Sequence, residues 1–396
     1  MKNIGLIILI ILIFPALCLG AETEYSIFGS ETYLPVKEKG FLEFVTGGEN
    51  YFYEIGGKFS HYFDNGLTFT TQVSKHGKED TGLDYMILRY SDYLEDFSYK
   101  LDIGKIEASV GLMSKGRLNP KTRWSIILPQ AMYSNAVKRY ANGGWGISFT
   151  SKFDIGKWKL SLQNSFYKPD NTQEEQIVHA LFGPTGEGEY ETGYSYVVNT
   201  ELANITRNYI FYYTFAYSFN GEADPGKSSI LPPSLAKKID NKTYDHKQML
   251  NQAGFQLNKG DFSWIIEARY FEYWDKFWED MKLGSKHQTG TGANTAARYW
   301  FGEDIVATIL GFGVWTDKAF DWNGEEKADE TGANPSSHYQ KDLYSTIVYK
   351  LNRNIDLKLE YHRMWGSAFV NGESNNMLNT VPDEWDFVAT QLSFSF

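Results

Sequence analysis

The chain has 396 residues, a formal net charge of −11 and an aromatic content of 16%. Because its mean hydropathy is −0.41, these aromatic residues must be interleaved with polar residues rather than collected in long apolar runs. After the N-terminal region, no segment approaches the ~20 consecutive apolar residues of a membrane-spanning helix, which excludes a helical membrane protein.

The first twenty residues have the pattern of an export signal. Lys2 gives a short positively charged start, residues 4–16 form an apolar core, and Cys18-Leu19-Gly20 provides a small-x-small cleavage site. We therefore expect residues 1–20 to be a signal peptide and the mature chain to begin near Ala21.

The single cysteine, Cys18, limits the chemistry that the mature chain can perform. Leu17 precedes it where a lipoprotein signal has a small residue, so acylation is disfavoured. A mature chain without cysteine has no disulfide, thiol nucleophile or thiolate metal site. The sequence also has no Cys-x-x-Cys-His, no His-Glu-x-x-His and no Gly-x-Ser-x-Gly. We expect no cofactor, no metal and no enzyme activity, with a wall Ser–His hydrolase as a minor alternative.

From residue 21 onward, segments of about 8–14 residues alternate apolar and polar positions, the pattern of half-buried strands. Clear examples are 67–74, 97–103, 158–163 and 355–361. Because side chains in a strand point alternately to opposite faces, each segment has one apolar and one polar face.

The connections between these segments alternate in length. Short polar turns are predicted at 64–66, 95–96, 154–156, 259–261, 302–304 and 352–354. Longer loops are predicted at 170–191, 220–246, 273–289, 317–337 and 367–384. Short periplasmic turns and long extracellular loops are typical of a transmembrane β-barrel.

The predicted fold is all-β: one transmembrane antiparallel β-barrel of about sixteen strands, covering residues 21–396. The strand centres are expected near residues 43, 57, 71, 88, 101, 148, 163, 197, 213, 253, 267, 296, 310, 344, 360 and 391. Residues 21–38 are expected to be a lead-in strand or a short tail. The last strand ends in Phe396, which resembles the assembly signal of outer-membrane barrels, so we expect the outer membrane of a Gram-negative bacterium. A barrel of this size encloses a water-filled channel unless something fills it.

One segment, residues 105–140, does not follow the pattern of strands and turns. It is the third long connection, between the fifth and sixth predicted strands. It contains seven basic residues and one acid: Lys105, Lys115, Arg117, Lys121, Arg123, Lys138 and Arg139, with Glu107. A basic ring in a narrow pore attracts anions, so we expect a constriction loop that folds inward and favours anions. The alternative is that these bases pair with wall acids, such as Glu54, Asp102, Glu267 and Glu360, and only fasten the loop.

The same segment carries a family resemblance. Gly111-Leu112, Asn119, Thr122-Arg123, the run 127–130 (Ile-Leu-Pro-Gln) and Tyr133 resemble a segment of the porin-like outer-membrane proteins of proteobacteria. The match covers about 40 residues, and residues 115–118 (Lys-Gly-Arg-Leu) depart from the family pattern. The placement of the loop also resembles that of the constriction loop in general porins. The resemblance implies a channel without naming a solute.

We therefore predict a porin for the passive diffusion of small hydrophilic or anionic solutes, forming a homotrimer in contact with outer-membrane lipid and lipopolysaccharide. No nucleic-acid partner is expected. The alternative function is a barrel sleeve that houses an exported partner, such as a multihaem cytochrome in an electron conduit across the outer membrane. In that case a protein would occupy the lumen.

Overall fold

The computed structural model describes residues 22–35, 51–76, 82–107, 110–113, 125–126, 143–169, 189–191, 193–224, 244–275, 287–317, 339–366 and 384–396. These residues form one antiparallel sheet of seventeen strands: β1 (Glu22–Tyr33), β2 (Tyr51–Tyr62), β3 (Leu67–His76), β4 (Gly82–Leu94), β5 (Phe97–Ile106), β6 (Gly144–Ile155), β7 (Trp158–Pro169), β8 (Glu189–Glu191), β9 (Tyr194–Asn204), β10 (Tyr209–Asp224), β11 (Tyr244–Lys259), β12 (Phe262–Asp275), β13 (His287–Phe301), β14 (Ile305–Asp317), β15 (Tyr339–Asn352), β16 (Ile355–Gly366) and β17 (Glu384–Ser395). No helix in the described part of the chain is long and apolar enough to cross a membrane.

The sheet closes on itself into a barrel with sixteen positions in its wall. Each strand except β8 pairs with the next strand of the wall, β7 with β9, and β1 pairs with both β2 and β17. The backbone groups of Ile27 and Phe396 exchange hydrogen bonds of 2.8 and 2.7 Å at this seam. The three-residue β8 pairs with the end of β10, beyond the part of β10 that pairs with β9. The strands β8 and β9 therefore fill one position in the wall between them. Closure pairs the first strand with the last, so the sixteen positions of the wall form a continuous ring, as a membrane-spanning sheet requires.

The predicted barrel is confirmed, with one change in its first strand. The strand expected near residue 43 lies outside the described residues, and Glu22–Tyr33, expected to be a lead-in strand or a tail, fills the first position in the wall. The other predicted centres all fall within strands. Three turns lie as predicted, at 64–66, 95–96 and 302–304. In the other three the first residues still belong to strands: Asp154 and Ile155 to β6, Lys259 to β11 and Asn352 to β15.

The strands run further than predicted at the end opposite the short turns. Both β10 and β11 have 16 residues, more than the ~9–11 that cross a bilayer. Residues 220–224 and 244–246 were predicted in a loop but extend these strands. The central parts of the predicted long loops lie outside the described residues, as do residues 1–21.

The two faces of the wall differ sharply in chemistry. Along β16, Leu357 and Leu359 are 44% and 47% exposed, while Lys358 and Glu360 between them are 1% and 0% exposed. The same alternation recurs around the barrel, so apolar side chains cover the outside and polar side chains line the inside. This distribution is the one that a lipid-facing barrel requires.

Aromatic side chains form a band near the short turns. Ring pairs lie 5.0 Å apart for Phe97 and Phe153 and 4.7 Å apart for Tyr299 and Phe301. Aromatic rings are enriched at membrane–water interfaces. The short-turn end of the barrel therefore lies at one such interface.

A glycine near the end of β5 gives the first testable prediction. Gly104 has φ +133°, and a Cβ there would overlap the Met86 carbonyl oxygen. We expect Gly104→Val to lower the yield of folded barrel, because both the backbone conformation and the β4–β5 contact exclude a side chain. The measurement is the fraction of protein that migrates as the compact form in unheated SDS gels. Gly82→Val is the matched control, since no atom lies within 4 Å of a Cβ at Gly82; equal losses in both variants would contradict the prediction.

Candidate functional site

The first part of the candidate site is a short loop segment that lies against the inner wall. The backbone N–H of Leu112 donates a hydrogen bond of 2.6 Å to Oε1 of Glu267 on β12. The side chain of Gln252 on β11 donates to the same oxygen at 3.2 Å. Glu267 is 1% exposed. The loop that begins after β5 therefore reaches across to β11 and β12, where a buried carboxylate holds its backbone.

Apolar packing supports this contact. Val110, Leu112 and Met113 are buried in one cluster with Tyr212 and Ile265 of the inner wall. The position of Gly254 leaves room for the loop, because a Cβ there would lie only 3.1 Å from Cδ1 of Leu112.

The sulfur atom of Met113 also has polar neighbours. It lies 3.3 Å from the amide nitrogen of Asn294 and 3.7 Å from the hydroxyl of Tyr344. Polar and apolar contacts thus fix the same four residues, 110–113.

A second short segment of the same connection has its own carboxylate. The backbone N–H of Ile126 donates a hydrogen bond of 2.8 Å to Oε2 of Glu360 on β16, which also accepts from the hydroxyl of Thr346 at 2.8 Å. Ile126 packs in an apolar cluster with Met364 and Phe387. The connection between β5 and β6 is therefore fastened to the wall at two points.

Glu360 belongs to a buried row of three ionisable groups. Its Oε1 lies 2.8 Å from Nε2 of His362, and Nδ1 of His362 lies 2.8 Å from Oδ1 of Asp342. The ring of His362 stacks between Phe387 and Tyr344, with centroids 4.4 and 5.5 Å away. All three ionisable side chains are fully buried.

The number of protons in this row follows from its hydrogen bonds. Each of the two contacts needs one proton, since a bare imidazole nitrogen and a carboxylate both only accept. Two shared protons leave the row with a net charge of −1, wherever each proton lies. The imidazole ring therefore links two carboxylates that would otherwise repel each other, and it orients Glu360 toward the loop.

The predicted constriction residues are only partly within the described residues. Lys105 is the second-last residue of β5 and lies on the same strand face as the exposed Ile103, and its ammonium donates to the carbonyl of Leu83. Glu107 follows the strand and is half-buried. The other six bases lie outside the described residues: Lys115, Arg117, Lys121, Arg123, Lys138 and Arg139.

Three of the four wall acids named as partners for those bases have partners among the described residues, and their pairing with the six other bases stays a prediction. Glu267 and Glu360 accept loop backbone N–H groups, and Asp102 pairs with two bases of the wall, Arg89 at 2.7 Å and Lys100 at 3.2 Å. Sequence reasoning did not foresee the row around His362. The signal in the sequence was the spacing of Glu360 and His362. They are two residues apart on one strand, which places both side chains on the same face.

Comparisons with known proteins agree with this architecture. No protein-family model and no curated protein matches the sequence. Among solved structures, the chain is similar to a loop-deletion mutant of OmpT, an outer membrane protein of Vibrio cholerae, with a TM-score of 0.56, 8% identity, and coverage of 95% of this chain and 99% of that one. It is also similar to OmpF of Salmonella typhi in a complex with daunomycin, with a TM-score of 0.53, 12% identity, and coverage of 95% and 98%. At these identities the likeness shows the fold alone, a porin-like β-barrel.

Proposed function

We propose that this chain forms an outer-membrane channel for the passive diffusion of small hydrophilic solutes. The observation that carries this proposal is the closed barrel, whose polar side chains face inward and whose apolar side chains face outward. A sixteen-position wall is wide enough to enclose an aqueous passage. The exported, outer-membrane location and the homotrimer belong to the same proposal; one similar structure of Vibrio cholerae OmpT is described as a trimer form.

We place the constriction of this channel in the loop 105–140. The contacts of Leu112 with Glu267 and of Ile126 with Glu360 support this placement, because they hold two points of the loop on the inner wall. A loop fastened at two points inside a barrel narrows the passage that it crosses. The basic residues of this segment would then favour anions, since a narrow pore strengthens the effect of its fixed charges.

The test is single-channel recording in a planar bilayer, with the reversal potential measured across a KCl gradient. We expect stable steps that close in three equal levels, and a reversal potential that shows preference for chloride. In the double variant Arg117→Ala/Arg123→Ala, the anion preference should fall while the steps remain.

Other outcomes of this recording separate the parts of the proposal. If the steps show cation preference, or if the anion preference is unchanged in the double variant, the channel proposal stands but the basic constriction is contradicted. No conductance from folded protein would overturn the channel itself and favour the barrel sleeve. The barrel-sleeve alternative predicts that neighbouring genes encode exported proteins rich in Cys-x-x-Cys-His, which a genome sequence would show.

A further inference from the structure

A cavity lies on the inner wall near the short-turn end, where the sequence singled out no residues. Its volume is about 420 Å³, and residues of β5, β6, β7, β9 and β10 line it together with Tyr93 of β4 and the turn residues Asp96 and Arg207. We call this cavity the vestibule. The loop segments 110–113 and 125–126 are not part of its lining, although residues 110–113 pack against Tyr212, which does line it.

One continuous row of hydrogen-bonding side chains crosses the vestibule. Lys100 pairs in register with Thr150, Thr150 with Gln163, Gln163 with Asn199, and Asn199 with Thr214. Because directly opposite residues of paired strands lie side by side on one face, the row places an ammonium, two hydroxyls and two carboxamides next to one another.

Part of this row already forms a connected network. The amide of Asn199 donates to Oε1 of Gln163 at 3.3 Å, and the amide of Gln163 donates to the hydroxyl of Ser148 at 3.0 Å. The hydroxyl of Tyr212 donates to Oδ1 of Asn199 at 2.8 Å. These bonds hold the side chains in place and reduce the rotational freedom that a bound solute would have to remove.

The hydroxyl of Thr150 is the exception. It is buried and has no hydrogen-bond partner among the residues that the structure describes, although its neighbours in the row are Lys100 and Gln163. Buried polar atoms are rarely left without a partner. A ligand that accepts a hydrogen bond at this position would satisfy the group.

The vestibule has more basic side chains than carboxylates that contact them. Lys159 pairs with Asp154 at 3.5 Å, and Arg207 pairs with Glu201 at 2.9 Å. By contrast, the single carboxylate of Asp102 on β5 forms ion pairs with two bases, Arg89 on β4 and Lys100 on β5.

Lys152 adds a further positive charge to this side of the vestibule. Its neighbours across the strands are Ser98 and Ser161, and it has no carboxylate partner within the described residues. Asp96 is the remaining acid of the lining, and it lies exposed in a turn. Local positive charge therefore collects around Lys100 and Lys152.

We infer that the vestibule binds a small oxyanion, a carboxylate or phosphate group, between Lys100, Lys152 and the row that begins at Thr150. The ammonium groups supply charge and the fixed amides and hydroxyls supply hydrogen bonds, which together are stronger than neutral contacts. In the proposed channel, this site would concentrate anionic solutes at the short-turn mouth, independently of the loop 105–140.

The test uses the folded full-length barrel in detergent and isothermal titration calorimetry. The probes are succinate, inorganic phosphate and the uncharged 1,4-butanediol. We expect saturable binding of succinate, phosphate or both, and no binding of the diol. If only one anion binds, the result shows whether the site takes a carboxylate or a phosphate. In Lys100→Met/Lys152→Met the affinity should fall by about tenfold or more, because two charge-assisted contacts are lost.

Lys259→Met is the matched control, since Lys259 is exposed at the β11–β12 end of the same mouth; it should change the affinity by less than about twofold, as expected for a screened surface charge. No saturable anion binding, or an equal loss in the control, would overturn the inference. If the double variant does not fold, Lys152→Met gives the same test, because it breaks no ion pair. Anion binding without conductance would support this inference and reject the proposed channel. Conductance without anion binding would support the channel and reject this inference.

Discussion

The double variant Glu267→Leu/Glu360→Leu is expected to give a larger and more variable single-channel conductance than the unmodified chain. These two carboxylates accept the backbone N–H groups of Leu112 and Ile126. Leucine fills a similar volume but accepts no hydrogen bond. The loop should then leave its position on the inner wall for part of the time, and the passage that it narrows should widen.

The size of this effect follows from the strength of the lost contacts. Hydrogen bonds to charged groups contribute roughly 1.5–3 kcal/mol each, so the pair contributes about 3–6 kcal/mol to docking of the loop. Since 1.4 kcal/mol corresponds to a factor of ten, the ratio of docked to released loop should fall by about 10² to 10⁴. Each single variant should show a part of this change, because each leaves one anchor intact.

The matched control is Asp84→Leu. Asp84 is also a carboxylate of the wall, but it accepts hydrogen bonds from Gln72 at 2.9 Å and Ser74 at 2.6 Å rather than from the loop. It removes one charge, as each single variant does, without touching residues 110–113 or 125–126. An unchanged conductance in the double variant, or an equal change in Asp84→Leu, would show that the loop contacts do not set the width of the passage.

Most of the wall could be predicted because its signal is local. In β16, polar residues alternate strictly with Leu357, Leu359 and Tyr361, and the structure places the two sets on opposite faces. The first strand lacks this signal. In β1, Phe28 is buried while Glu31 is exposed, so its apolar and polar residues do not separate into two faces. That is why residues 22–33 were not predicted as a wall strand.

The anchors of the loop could not be predicted, because they join backbone groups to distant side chains. Leu112 and Glu267 are 155 residues apart in sequence, and Ile126 and Glu360 are 234 apart. A backbone N–H has the same chemistry at every residue except proline, so the sequence contains no mark of which one a carboxylate will bind. Two of the inward acids named as alternative partners of loop bases, Glu267 and Glu360, accept loop backbone N–H groups. Their pairing with the bases that lie outside the described residues stays a prediction.

The registers of the strands decide the rest of the site. Asp342 reaches His362 because β15 and β16 pair Tyr344 with His362 and Asp342 with Met364, which brings Asp342 diagonally next to the imidazole. Likewise, the row across the vestibule exists because five strands align Lys100, Thr150, Gln163, Asn199 and Thr214. A shift of one residue in any of these pairings would turn one partner to the opposite face. Alternation predicts which face a residue occupies, but not its neighbours across the strands.

The variant His362→Leu is expected to destabilise the barrel strongly. His362 shares one proton with Asp342 and one with Glu360, and without it these two buried carboxylates lose both shared protons and the ring that links them. Removing one member of a buried ion pair costs about 3–5 kcal/mol, because the remaining charge is left without compensation. The measurement is the free energy of unfolding from urea titration in lipid vesicles, followed by tryptophan fluorescence.

The neighbouring residue provides the control for this variant. Arg363 also contacts two carboxylates, Glu384 at 2.6 Å and Asp386 at 3.6 Å, but its side chain is 40% exposed. Because water screens exposed ion pairs, Arg363→Leu should leave the free energy of unfolding almost unchanged. An equal loss of stability in His362→Leu and Arg363→Leu would contradict the prediction.

A second substitution separates uncompensated charge from lost packing, since His362 also stacks against Phe387 and Tyr344. In Asp342→Leu/His362→Leu one of the two facing carboxylates is gone, while Glu360 still accepts from Ile126 and Thr346. If the charge of the facing acids causes the loss, this double variant should be more stable than His362→Leu, although it carries one more substitution. If it is less stable, the aromatic stack rather than the shared protons holds this part of the wall, and the role assigned to His362 would be wrong.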